Sequence, residues 1–67
     1  MKNFIKVERA KLNITQQELA NAVHVSRQTI NSIETQKYVP STILSLKIAF
    51  FFKVTVEQLF ELEIEDK

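Results

Sequence analysis

The sequence predicts an all-α domain of five short helices, closed by a small two-stranded sheet that joins the chain ends. Three observations predict it. Hydroxyl residues recur just ahead of apolar stretches, at Thr15, Ser26, Ser41 and Thr55, and Thr15 and Thr55 have Glu18 and Gln58 three residues on. Apolar residues after these caps recur at helical spacing. Beyond Phe60 the period falls to two, with Phe60, Leu62 and Ile64 alternating with Glu61, Glu63 and Glu65.

The first helix is expected over Ile5–Leu12, with Ile5, Glu8, Arg9 and Leu12 along one stripe. An arginine on an inner stripe needs a carboxylate. Glu34, which ends the inner stripe of the third helix after Ile30 and Ile33, is the natural partner. Thr15 and Glu18 form a capping box that starts a second helix at Gln16. Its inner side carries Leu19, Ala20 and Val23, and its outer side Gln16, Gln17 and Asn21. Ser26 caps a third helix only three residues after Val23, so the two helices cross closely, and Ala20 has the small side chain that a close crossing requires. The pair with its turn spans about residues 16–36.

Pro40 pushes Val39 out of the helical region, and Ser41 caps a fourth helix over residues 42–52. That helix is apolar on more than one side, and a single buried face does not account for all of Ile43, Leu44, Leu46, Ile48, Phe50, Phe51 and Phe52. Thr55 opens a short fifth helix carrying Val56, Leu59 and Phe60. A strand is expected at about residues 61–65, paired with Lys2-Asn3-Phe4. The chain has no glycine, so its tight turns need other residues at positive φ. Asn13 and His24 tolerate it best, and Gln36 and Lys53 are the next candidates.

Sixty-seven residues make one domain, 1–67, with a modest core. The absence of cysteine removes disulfides, thiolate metal sites and a thiol nucleophile, and one histidine does not build a zinc site. No nucleophile–base pair or glycine-rich phosphate loop is present, so no enzyme, cofactor or metal is expected. The longest apolar run, Ile48–Phe52, is too short to cross a bilayer, and a cytoplasmic protein is expected. The net charge of +1 hides a separation: residues 1–53 hold eight of nine Lys and Arg against three Glu, a balance of +5, while residues 54–67 carry −4. A basic body with an acidic tail can present the first to phosphates and turn the second away.

Two capped helices in a tight turn, the second exposing Arg27, Gln28, Asn31 and Ser32, form what a reader of the DNA major groove needs. The words TQQELA and VSRQTINSIE, with Lys37-Tyr38 ahead of Pro40, resemble the Cro/CI family of repressors, also called the Xre-type helix-turn-helix family. The resemblance runs from Phe4 to Phe60. It implies a lambda-repressor-like DNA-binding domain, most like the stand-alone minimal dimeric repressors, of which the cytolysin operon repressor is an example. Carried onto this chain, it implies base contacts from Arg27, Gln28 and Asn31, with Ser26 and Ser32 at the margin. Arginine suits guanine O6 and N7, and Gln or Asn suits adenine N6 and N7. The resemblance implies phosphate contacts from Gln16, Thr29, Lys37 and Tyr38, and a structural ion pair between Arg9 and Glu34.

The expected activity is transcriptional regulation, through repression, by a homodimer on a near-palindromic double-stranded operator. Apolar residues left over from the core place the dimer interface at Val39, Val56 and Leu59 or Phe60. No small-molecule ligand is expected, and control would come from dimer concentration or a regulatory protein partner. The alternative is an antitoxin or adaptor-type interaction module of the same fold, using the acidic segment or the extra apolar face of the fourth helix.

Overall fold

A computed structural model describes residues 1–67. The elements follow in the order β1 (Lys2–Asn3), α1 (Ile5–Leu12), α2 (Gln16–Val23), α3 (Arg27–Glu34), α4 (Thr42–Phe52), α5 (Val56–Leu59), β2 (Phe60–Glu61) and a single 3-10 turn at Ile64–Asp66. All five helices of the sequence reading are present. Four of them begin at the hydroxyl residues named above: Thr15, Ser26, Ser41 and Thr55 each accept the backbone N–H three residues on. Thr15 and Thr55 do so in full capping boxes, with the Glu18 carboxylate and the Gln58 carbonyl returning to the cap backbone at 2.9 Å. For α5, one turn long, this cap is essential, because so short a helix has no independent stability.

The helix ends answer the lack of glycine. Asn13, His24, Gln36 and Lys53 all stand at positive φ, between 56° and 63°. In each case the following N–H reaches back to a carbonyl of the last turn: Ile14 to Arg9, Val25 to Ala20, Lys37 to Ser32 and Val54 to Ala49. His24 is thereby a turn residue. Each of these side chains strains the backbone, so Lys53→Gly is expected to stabilise the fold. Relief of about 1 kcal/mol is partly offset by the greater freedom of glycine in the unfolded chain. A melting temperature that stays put or falls would show that the Lys53 side chain holds contacts of its own.

The core lies where α2, α3, α4 and α5 converge. Ile5, Leu19, Ala20, Ile30, Ile48 and Leu59 have no exposed surface, and Val23, Ile33, Leu44, Ala49, Phe52 and Phe60 complete the cluster. Ala20 is wholly buried on α2, so a larger side chain there would overpack the core. Ser45, the one polar residue buried as a whole, is satisfied because its hydroxyl donates to the Ser41 carbonyl at 2.9 Å.

Three expectations are corrected. Leu12 is half exposed, because α1 ends there and Asn13 turns the chain away. The strand expected over residues 61–65 is only Phe60–Glu61, antiparallel to β1 with Lys2 opposite Glu61 and Asn3 opposite Phe60. Its partner is too short to extend it. Past that point the chain instead closes the turn at Ile64–Asp66: the Asp66 carboxylate accepts the Glu63 N–H at 2.9 Å and lies 3.1 Å from the Met1 amino group. The Glu63 N–H and the Met1 amine hold the Asp66 carboxyl below its usual range, and Asp66 in turn raises the amine. Leu62 and Ile64, read as one apolar side of a strand, are exposed. The third correction concerns Leu59 and Phe60, expected at a dimer interface. Leu59 is wholly buried and Phe60 is 7% exposed, because a one-turn helix has few inward positions and the core of the single chain takes both.

Candidate nucleic-acid interface

The candidate site is the outer side of α3. Ser26 fixes its start: the hydroxyl accepts the Thr29 N–H at 3.1 Å and shares a hydrogen bond with the Thr29 hydroxyl at 2.9 Å. Ile30 and Ile33 then anchor the inner side, which points Arg27, Gln28 and Asn31 to solvent. Neither Arg27 nor Gln28 spends its side chain on a hydrogen bond within the chain, so both are available to a ligand. Ser26, Gln28, Thr29, Ser32 and Tyr38 line one shallow polar hollow beside the helix. The structure thus brings Tyr38 against α3 although it lies twelve positions after Ser26 in sequence. The reversal at Gln36 does this, with Gln36 N–H on the Ile33 carbonyl and Lys37 N–H on the Ser32 carbonyl. It leaves Lys37 and Tyr38 exposed just past the helix end.

Behind this surface lies the ion pair inferred from sequence. Arg9 Nε and a second guanidinium nitrogen reach the two oxygens of Glu34 at 2.6 and 3.0 Å, a bidentate pair, and a third nitrogen donates to the Ile14 carbonyl at 3.0 Å. The Arg9 and Glu34 side chains are only 14% and 6% exposed. The hydrogen bond to Glu34 raises the Arg9 pKa further above its ordinary value, so the guanidinium is always charged. Helix α1 is thereby tied to the end of α3. Asn3 adds a second tie, its amide donating to the Ile33 carbonyl at 2.9 Å.

One connection escaped the sequence reading, and one surface it noted only in outline is now resolved into residues. The Gln16 amide donates both to Glu34, at 3.1 Å, and to Asn31 Oδ1, at 3.2 Å, so two residues expected to face DNA also face each other. With both side-chain donors committed, Gln16 keeps its main-chain N–H, at the open start of α2, as the group free for a phosphate. The surface is a row on α4. Ile43, Leu46 and Phe50 are 68, 55 and 85% exposed, while Leu44, Ile48, Ala49 and Phe52 face the core. The row continues into an open groove with Pro40, Val54 and Val56. Val39 is exposed nearby in the chain, and Val56 is partly buried. The surplus of apolar residues in α4 was the available signal for this row.

No helix is long and apolar enough to cross a membrane. A helix-turn-helix family model matches residues 5–59. The chain belongs to the Xre, or Cro/CI-type, helix-turn-helix family. It is 50% identical over 66 residues to an uncharacterized HTH-type transcriptional regulator of Methanocaldococcus jannaschii, covering 98% of this chain and all of that one. It is 44% identical over 66 residues to the uncharacterized HTH-type transcriptional regulator YgzD of Bacillus subtilis, again 98% of this chain and 100% of the relative. A third such regulator, from Archaeoglobus fulgidus, is 46% identical over 98% of this chain and 93% of its own length.

Proposed function

We propose that this chain is a sequence-specific DNA-binding regulator of transcription that represses by occupying a near-palindromic operator as a homodimer. One observation carries the reading: Arg27 and Gln28 stand exposed and uncommitted on the first turn of a helix whose start, inner face and end are all fixed. Rigid placement of a few side chains lets a helix in the major groove discriminate base edges. Membership of the helix-turn-helix family and similarity to proteins named as transcriptional regulators support it.

In this reading Arg27 and Gln28 read bases, with Asn31 beside them and Ser26 and Ser32 at the edge. The main-chain N–H of Gln16 and the side chains of Thr29, Lys37 and Tyr38 meet phosphates. The homodimer is supported by the apolar row Ile43, Leu46 and Phe50 with Val56 and Val39, which gives a small domain a second surface to bury. Lys47 and Glu57 line the same groove, so a two-fold arrangement can pair each with the opposite charge of the other copy. Two recognition helices would then enter successive major grooves about 34–36 Å apart.

Selection of bound fragments from random duplex DNA tests the whole reading, with an inverted repeat as the expected product. On the selected site, Gln28→Ala is expected to lose about 1–3 kcal/mol, with little change on random DNA. Equal losses on both would remove Gln28 from base reading. Lys37→Ala should weaken both sequences alike and reduce the salt slope by about one unit. An unchanged slope would place Lys37 away from the phosphates.

A further inference from the structure

The hydrogen bonds behind α3 have a direction. Arg9 only donates, and the Glu34 carboxylate only accepts. Gln16 approaches Glu34 Oε1 at 3.1 Å and must therefore present its Nε2, because the reversed amide would set Oε1 against a carboxylate. The second hydrogen on that nitrogen is aimed at Asn31, 3.2 Å away, which must answer with Oδ1. One end of the Asn31 amide is thus held toward α2. The other end, Nδ2, donates to nothing within the chain, and the residue is exposed.

We infer that Gln16 is a positioning residue for specificity: through the relay Arg9, Glu34, Gln16 and Asn31 it fixes Asn31 with its Nδ2 toward the DNA, so that Asn31 selects a base offering an acceptor and rejects cytosine. The inference rests on the proposed major-groove reading and deepens it. An asparagine free to turn would present either end of its amide and discriminate poorly. Guanine offers O6 and N7 in the major groove, adenine N7 and thymine O4, whereas cytosine offers only the N4 donor. A buried ion pair thereby sets the polarity of a group at the surface, and the side chain of Gln16 serves a neighbouring residue rather than a phosphate.

The experiment is position-resolved selection on randomised duplexes for the intact chain, Asn31→Asp and Gln16→Met, with folding of each followed by circular dichroism. For the unaltered chain, cytosine should be disfavoured about tenfold at one position per half-site. Asn31→Asp keeps an acceptor for Gln16 but turns an oxygen outward, so that position should switch toward cytosine. Gln16→Met keeps the length of the side chain without its donors, and should broaden the choice at that position while leaving those read by Arg27 and Gln28 unchanged. Free of DNA, the Gln16 amide protons should exchange more slowly than those of Asn31. Equal exchange, free acceptance of cytosine, or an unchanged preference in Gln16→Met overturns the inference. A uniform loss on all sequences with a lower salt slope does so too, since it would make Gln16 a side-chain phosphate contact. Each of these leaves the DNA-binding reading intact, whereas failure of the unaltered chain to bind any duplex removes both.

Discussion

Glu34→Ala is expected to destabilise the chain by about 3 kcal/mol, the cost of stranding one member of a buried ion pair. A core of this size supplies only about 3–5 kcal/mol in total, so the variant should be largely unfolded at physiological temperature. The effect is large because two side chains lose an acceptor at once and a tie between helices goes with them. Arg9, 14% exposed, would keep only the Ile14 carbonyl, the Gln16 amide would lose one acceptor, and α3 would lose its ion-pair tie to α1, keeping only the Asn3 bond to Ile33. Urea and thermal unfolding followed by circular dichroism measure it. A loss below about 1 kcal/mol, the range of exposed pairs, would mean that solvent compensates Arg9 and that the pair is incidental to stability. The double variant Arg9→Met with Glu34→Leu separates charge from geometry. Apolar replacement of both partners is often neutral or stabilising, so its stability should recover.

Phe50→Asp is expected to give monomers and to lower operator affinity by about 10²–10⁴-fold, the advantage lost when two linked binding events become separate ones. At 85% exposed, Phe50 contributes little to the single chain, so a carboxylate there leaves the fold intact. In the proposed dimer the same carboxylate would be buried in an apolar seam beside Ile43 and Leu46, without a partner charge. Sedimentation and gel-shift titration give the two readouts. A dimer that persists with full operator affinity would move the interface off α4. If the unaltered chain is already monomeric, the row serves another protein, as the antitoxin or adaptor alternative requires.

Much of the fold was legible because its signals are local. A hydroxyl residue three positions before a free backbone N–H forms the same cap in any fold, so Thr15, Ser26, Ser41 and Thr55 located four helix starts. The positive-φ residues followed from chain reversal without glycine. Even the Arg9–Glu34 pair, distant in sequence, could be inferred, because an inward arginine must find a carboxylate and few were available. The C-terminal strand was overextended for the opposite reason. Alternation of Phe60, Leu62 and Ile64 describes what a strand would look like, not whether another strand is there to receive it. In the antiparallel register Leu62 falls opposite Met1, where β1 has not yet begun, and Asp66 closes a turn instead.

The candidate site divides the same way. Which α3 residues face out follows from helical period once Ile30 and Ile33 are inside, so Arg27, Gln28 and Asn31 were readable. The direction of the Asn31 amide was not, since it depends on Gln16 and Glu34 converging from other elements. The apolar surplus of α4 was plain, but its division was not: Leu44, Ile48 and Phe52 went inward, and Ile43, Leu46 and Phe50 were left outside.

The chain's own letters therefore settle the helices, their caps, the turns and which α3 residues face solvent, because each depends on neighbours a few residues away. Packing settles which apolar residues stay exposed, how far the terminal strand runs, and which end of the Asn31 amide Gln16 holds. Those are contests among distant groups for the same limited space and the same hydrogen-bond partners, and only the folded chain brings the competitors together.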